Sequence, residues 1–301
     1  MNIHRPWMTQ VELVRGCNMR CDFCANVSLP KEKEFMTVSN AIAIASAVSN
    51  FGDRQRLAFA MRGEPTLHPD ILEITRIFRA IIPEMQLLLV TNGTKCSVDF
   101  VKNWFAAGGN IVSIDCYHGS YGKFFQRFEG ILPVKSYRDF NIWQYHSSDL
   151  KLIVLIDDLI DDHANSRTFT NQADWISDGT YDKYKIQRPD VNNPLQKKCA
   201  LPFRELAIHY NGNVPLCCKD WVGARKMYNV IEGESLVEWW YKDKNLNRAR
   251  ALLLNKCREF YPCNRCTYFG GFRLGLLPKV ELTESKKSWC LLKLKEQYGS
   301  H

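Results

Sequence analysis

The chain lacks any run that approaches the roughly eighteen apolar residues needed to cross a bilayer. Its longest dense apolar stretches, residues 87–90 and 150–156, are strand-sized, so no contact with a membrane is expected. It has no internal repeat and no low-complexity segment, which excludes a fibrous or disordered chain. The opening MNIHRPWMTQ has no apolar signal core, and a cytoplasmic location is the default expectation. Long basic runs are missing too. The net charge is +8, yet Lys and Arg are spread along the chain, with local bunching only near Lys31 and Lys33 and at Lys286-Lys287. A solvated basic surface is the favoured reading. An anionic partner, nucleic acid included, stays open but is not favoured.

Cysteine is present, but not at the density of a small disulfide scaffold: there are twelve in 301 residues. Their grouping carries the signal. Cys17, Cys21 and Cys24 lie close together, Cys217 and Cys218 are adjacent, and Cys263 and Cys266 form a C-x-x-C. In a reducing compartment such groups read as metal ligands or catalytic thiols rather than disulfides.

Apolar residues make up 46% and charged residues 24%, an ordinary globular balance, so a chain of this length can bury a large core. At roughly 150 residues per domain, the length predicts two domains or one enlarged α/β unit. Residues 9–15, 57–61, 85–91, 111–115, 150–156 and 184–187 read as strands. Residues 38–51, 69–80 and 98–107 read as helices between them. Thr37 suits the N-cap of the first, Pro69 the first turn of the second, and Gly108-Gly109 the end of the third. Residues 120–148 are aromatic-rich and resist division. Near-continuous apolar strands separated by helices predict a parallel sheet covered on both faces. An open doubly wound sheet and an incomplete barrel of the TIM type both satisfy this pattern. In either, chemistry gathers at the C-terminal ends of the strands.

Around residues 187–198 the texture turns polar and rich in Pro and Asn, which predicts a boundary. Beyond it, residues 205–210 and 214–216 read as a β-hairpin turning at Asn211-Gly212-Asn213. One helix is predicted over residues 236–254 and a terminal one over residues 283–297.

Cys17-x-x-x-Cys21-x-x-Cys24 falls in the loop after the first strand. Structural zinc sites use four ligands, commonly two C-x-x-C pairs or Cys₂His₂, and ferredoxin-type clusters use four cysteines. Three thiolates on a cubane leave one iron without a protein ligand, and an open metal position is where chemistry occurs. With Phe23 before Cys24, the motif resembles that of the radical S-adenosylmethionine (SAM) superfamily, C-x-x-x-C-x-aromatic-C. The resemblance implies a partial (β/α)6 barrel and a [4Fe–4S] cluster whose open iron binds SAM. It also implies cleavage of SAM to a 5′-deoxyadenosyl radical that removes a hydrogen atom from the substrate. Met61-Arg62-Gly63-Glu64-Pro65 follows the second strand and is similar to the family's G-G-E-P, which binds the SAM amino group. Arg62 replaces the usual first glycine. Thr91-Asn92-Gly93 and Ser113-Ile114-Asp115 end the third and fourth strands, where the family has T-N-G and S-x-D. Phe23, Gly63, Glu64, Asn92, Ser113 and Asp115 are therefore the expected cofactor-binding residues.

The second cysteine set runs Cys199, Gly212, Cys217, then Cys263-Asn264-Arg265-Cys266. Taken alone, four thiols on a hairpin and a C-x-x-C loop describe a zinc ribbon as well as an iron–sulfur site. Beside the first motif they resemble the family's auxiliary-cluster extension, called SPASM in its full form and twitch in its short form. After Cys266 only Cys290 remains, which matches the short form. The resemblance implies that Cys199, Cys217, Cys263 and Cys266 ligate a second [4Fe–4S] cluster, with Cys218 or Cys257 able to replace a neighbour. The expected domains are a barrel over residues 1–190, a small twitch domain of β-hairpin plus helix over 191–275, and a helical tail over 276–301.

Cys96 and Cys290 read as small buried apolar residues. Cys116 follows Asp115 at a strand end and is a candidate hydrogen donor to a substrate radical, with Cys257 its rival. His118 shares the Cys116 loop as a candidate for proton handling, whereas His209 reads as structural. The expected activity is hydrogen-atom abstraction followed by epimerisation, dehydrogenation or rearrangement. A sugar or other small molecule is favoured over a peptide, because the barrel pattern starts near residue 9 and leaves no leader-binding domain before it. A reductase, flavodoxin or ferredoxin is the expected electron donor. The alternative of another class is a zinc-bearing, non-enzymatic module that binds nucleic acid. A plain iron–sulfur electron carrier would leave Glu64 and the strand-end residues without a purpose.

Overall fold

The computed structural model describes residues 3–28, 31–52, 56–116, 121–128, 136–139, 142–146, 153–158, 174, 176–183, 185–221, 223, 225–268, 278 and 280–298. The first predicted strand is realised in two pieces, β1 (Met8–Val11) and β2 (Val14–Arg15). β2 pairs antiparallel with β3 (Glu34–Phe35), which closes the base of the loop carrying Cys17, Cys21 and Cys24. α1 (Val38–Ser49) starts where Thr37 accepts the Asn40 amide at 3.1 Å, the expected N-cap. Three strand–helix units follow: β4 (Arg56–Phe59) with α2 (Ile71–Ile81), β5 (Gln86–Thr91) with α3 (Val98–Ala106), and β6 (Ile111–Cys116) with α4 (Tyr121–Phe128). Ile71, Ile74, Thr75 and Phe78 form the buried stripe of α2. Phe78 and Trp104 both meet the Phe59 ring edge-on, at 5.2 and 5.7 Å between centroids, and so tie α2 and α3 to β4.

Further along are β7 (Ser136–Asp139), β8 (Ile142–His146), β9 (Ile153–Asp158), α5 (Asp178–Lys183) and α6 (Leu201–Arg204). The chain continues through β10 (Glu205–Ile208), β11 (Asn213–Pro215), β12 (Lys226–Asn229), α7 (Leu236–Lys242), α8 (Lys244–Leu254) and α9 (Glu284–Tyr298). The main sheet runs β10-β1-β4-β5-β6-β9-β8-β7. Its six members from β10 to β9 are parallel, and β8 and β7 extend it antiparallel. With β10 and β7 as its two ends, this is an incomplete barrel of the (β/α)6 kind rather than a closed one.

Three expectations need correction. Residues 184–187 do not supply the sixth parallel strand, because Lys185 lies in a turn and Ile186 and Gln187 are outside any strand. That place belongs to β10, which was expected in the hairpin. β10 pairs parallel with β1, Glu205 beside Met8 and Ile208 beside Val11. Leu206, Ala207 and Ile208 are all buried. Consecutive burial needs cover on both faces, which a sheet flanked by helices supplies and a two-stranded hairpin does not. The Asn211-Gly212 turn exists, with Gly212 at φ +82°, but the antiparallel pair it leads into is β11 with β12. The helix predicted over residues 236–254 is broken at Asp243, whose carboxylate accepts the Leu246 amide at 2.7 Å and starts α8. Barrel residues and C-terminal residues share one hydrophobic core, from Val11 through Leu216 to Trp240. No helix among the described residues is long and apolar enough to cross a membrane.

Candidate functional site

The C-terminal ends of β4, β5 and β6 and the cysteine loop enclose a cleft of about 770 Å³ counting its open mouth. Cys17, Cys21 and Cys24 all line it, with Phe23 among them. Two of these sulfurs accept backbone amides: Met19 N donates to Cys17 Sγ at 3.3 Å, and Asn26 N to Cys24 Sγ at 3.5 Å. The Asn92 side-chain amide also donates to Cys17 Sγ at 3.5 Å. N–H groups aimed at sulfur stabilise a thiolate. Burial, followed by repulsion from Cys24 and Cys17, pushes the Cys21 thiol up to about 12, and burial pushes Cys24 up to about 11. Such thiols deprotonate when a cationic centre compensates them. Soft thiolates with directed N–H donors and one corner left over suit a [4Fe–4S] cluster.

Gly63 and Glu64 line the same cleft. A Cβ at Gly63 would sit 1.8 Å from the Val14 carbonyl oxygen and 2.7 Å from that of Gly16. Only glycine lets β4's end approach the base of the cysteine loop, where Glu64 N donates to Gly16 O at 3.0 Å. The Glu64 side chain is almost wholly buried. Its Oε1 accepts from Thr66 N (3.0 Å), Thr66 Oγ1 (2.5 Å) and Thr91 Oγ1 (2.7 Å). Its Oε2 accepts from Asn92 N alone among the described residues, at 2.8 Å. Oε1 is saturated, and Oε2 keeps a lone pair for one further donor such as an ammonium. Asn92 in turn donates to Asn18 Oδ1 at 2.9 Å and accepts from Thr94 N at 3.0 Å. The two strand-end motifs thus form one hydrogen-bonded unit against the cysteine loop. Arg62 needs no glycine backbone; the left-handed φ of +88° falls on Met61, which also lines the cleft.

Asp115 lines the cleft, and Ser113 shares its face of β6 one step deeper. Cys116 does not join them. Side chains alternate along a strand, so Cys116 faces with Ile114 and Val112 into the helix-covered core and is fully buried there. The same alternation, applied to the sequence, would have shown it. Cys257 is also withdrawn. It sits just past α8, packed in the core, with Glu259 Oε1 4.0 Å from its sulfur. His118 lies outside the described residues. Neither Cys116, expected near the reacting face, nor Cys257, expected beside the auxiliary site, is among the described residues lining the cleft.

The second site is a pocket of about 340 Å³, again counting its opening, lined by Cys199, Cys217, Cys263 and Cys266. Cys218 and Cys257 do not line it; the Cys218 sulfur lies 3.3 Å from Glu205 Oε2 instead. Burial first, then neighbouring thiols, raises Cys217 and Cys263 well above the ordinary thiol range, and Cys199 reaches about 11. Arg258, itself buried, lines the cavity and donates to Lys197 O at 2.9 Å and Tyr268 O at 2.6 Å. Among the described residues no three His, Cys, Asp or Glu side chains converge on one point that would hold a single ion. A cubane takes one thiolate at each of several corners and does not require such convergence.

Residues 11–126 match the family model for the radical SAM superfamily, and residues 199–267 match that for the iron–sulfur cluster-binding SPASM domain. The chain belongs to the radical SAM superfamily and carries a SPASM-type auxiliary domain. It is an enzyme, and the two domains imply SAM and two [4Fe–4S] clusters as its cofactors. The zinc-bearing, non-enzymatic alternative falls with that membership. Among curated proteins it is 29% identical over 84 residues to GTP 3′,8-cyclase of Chlorobaculum tepidum, a match spanning 28% of this chain and a quarter of the relative. Among solved structures its fold is similar to BtrN in complex with AdoMet and 2-DOIA. That likeness has a TM-score of 0.65 at 19% identity and covers 88% of this chain and 94% of the other. An open conformation of BtrN gives 0.58 at 17% identity, over 89% and 94%.

Trp221, Met19 and Asn26 also line the cleft, and no sequence motif singles them out. Trp221 has no motif of its own; it arrives from the auxiliary region, far along the chain.

Proposed function

We propose that the chain cleaves SAM at a cluster held by Cys17, Cys21 and Cys24 and oxidises a small polar substrate in the adjoining cleft. Bound together, the clusters and SAM supply 5′-deoxyadenosyl radical chemistry and an acceptor for one electron. The chain's own residues do the rest. Glu64 Oε2 keeps an acceptor for the SAM ammonium, held in place by Thr66, Thr91 and Asn92. Asn92 also steadies Cys17. Asp115 offers a carboxylate to substrate hydroxyl or amino groups, or to the SAM ribose. The second set, Cys199, Cys217, Cys263 and Cys266, holds the auxiliary cluster in its own pocket. An external donor of the flavodoxin or ferredoxin kind, or a reductase, supplies the electron that starts the reaction.

The observation that favours oxidation over epimerisation is the thiol inventory of the cleft. Cys17, Cys21 and Cys24 are the only thiols among its described lining residues, and they are committed to the cluster. Epimerisation needs a separate hydrogen donor, whereas loss of a second electron and a proton needs none. The barrel, the auxiliary domain and the terminal helix remain our division of labour along the chain, with β10 shared by the first two. The test is anaerobic incubation with SAM, reductant and candidate sugars, nucleotides and peptides in deuterated buffer. A product lighter by about two hydrogens, with stoichiometric 5′-deoxyadenosine, supports the reading. Deuterium gained at one carbon with no loss of mass contradicts it.

A further inference from the structure

Arg62 lines the SAM cleft at the position where the family usually has glycine. Its side chain is 6% exposed. Nε donates to Glu12 Oε1 at 2.6 Å and Nη2 to Glu12 Oε2 at 2.5 Å, a bidentate fork on a carboxylate with no exposure. Nη1 donates to the carbonyl oxygen of Trp221 at 2.9 Å. Glu12 follows β1 directly, and its Oε2 also accepts from Tyr210 N, just past β10, at 3.4 Å. The three N–H groups of one guanidinium therefore join the ends of β1 and β4 to the auxiliary segment.

That segment serves both sites. Cys217, Lys219 and Asp220 line the auxiliary cavity, and the next residue, Trp221, lines the SAM cleft. Its local geometry is compact: Asp220 N donates to Cys217 O at 3.1 Å, Gly223 N to Asp220 O at 3.0 Å, and the Asp220 carboxylate accepts Arg225 N at 3.1 Å. These bonds knit the segment together, and Arg62 anchors it to the barrel from the cleft side. A glycine at position 62 has no group to do this.

We propose that Arg62 is a positioning residue that fixes the Trp221 segment as a wall of the SAM cleft and so holds the two cluster sites in one relation. This deepens the function proposed above and rests on it only where SAM binding is read out. The test is amide hydrogen exchange on the anaerobically reconstituted full chain, with and without SAM. The double variant Glu12→Gln/Arg62→Met removes the pair without leaving a buried charge unpaired, so it folds where Arg62→Gly alone fails. The expected result is exchange at least about tenfold faster in residues 217–221, while β5 and the iron content keep wild-type values. In the wild type, SAM slows exchange at both Gly63–Glu64 and residues 217–221; in the double variant it slows only the first. Arg62→Lys, which keeps the charge but not the fork, falls between.

Unchanged exchange at residues 217–221 in a double variant with full iron overturns the proposal, as does an acceleration spread evenly over β5 and the rest of the chain. A wild type in which SAM protects neither segment overturns the SAM-site reading instead, and the SAM-free exchange still decides on Arg62.

Discussion

The two thiol sites of this chain are built on opposite plans. The first is a loop pinned between β2 and β3, open to a roomy cleft, with three cysteines and a crowd of polar neighbours. The second is a tighter pocket under half that size, with four cysteines from three separate stretches of chain and Arg258 locked over backbone carbonyls. An incomplete thiol set in an open cleft leaves a metal corner for a substrate or cosubstrate. A complete set in a tight pocket leaves none and suits electron storage or structure. The contrast supports the proposal that chemistry belongs to the first site and electron storage or structure to the second.

The contrast breaks most visibly when the sites are removed in turn. Cys17→Ala abolishes 5′-deoxyadenosine formation and lowers reconstituted iron from about eight to about four per chain, measured by colorimetric iron and chromatography. Cys263→Ala lowers iron by the same amount but leaves uncoupled SAM cleavage in place while product formation stops. If Cys263→Ala alone stopped SAM cleavage in protein that keeps the first cluster, the division between the sites would be wrong.

Smaller changes sharpen it. Glu64→Gln presents an amide to donors that need an acceptor and loses a charge-assisted bond to the SAM ammonium. SAM affinity falls by about 10- to 100-fold by calorimetry, the equivalent of about 1.5–3 kcal/mol. Gly63→Ala drives a methyl group into the Val14 carbonyl and moves the cysteine loop. It costs about 1–3 kcal/mol in a urea titration and disturbs the first cluster's absorption rather than the second's.

The smallest effect is on pH. His209 is buried, and among the described residues its Nε2 has no hydrogen-bond partner. Burial, then the Arg62 charge, holds its imidazole well below 6.5. The folded state keeps it neutral while the unfolded chain protonates it. The His209 contribution to stability is full above about pH 6.5 and is lost as pH falls toward the depressed folded value, with a limiting slope of about 1.4 kcal/mol per unit. His209→Gln flattens this slope by one proton without changing stability's dependence on pH above it.

Much of this was legible in the amino-acid sequence because it is local. Thr37 caps α1, the α2 stripe follows its period, and the cysteine spacings mark both sites. The strand-end residues Glu64, Asn92 and Asp115 fall on the cleft because a parallel sheet puts loop residues there. What was hidden depends on partners distant in sequence. Glu12 and Trp221 reach Arg62 across 50 and 159 residues, and no periodicity records such a meeting. β10 looks like half a hairpin until its burial on both faces is seen. The burial of Cys116 was legible, since an inward Asp115 already turns the next side chain outward.

The most direct test of an open cluster beside a closed one is electron paramagnetic resonance of the dithionite-reduced, oxygen-free protein, with and without SAM. The account predicts two superimposed [4Fe–4S]⁺ signals, of which SAM shifts only the one absent from Cys17→Ala/Cys21→Ala/Cys24→Ala. A spectrum that SAM leaves untouched, or a shift confined to the signal absent from Cys263→Ala, would contradict it.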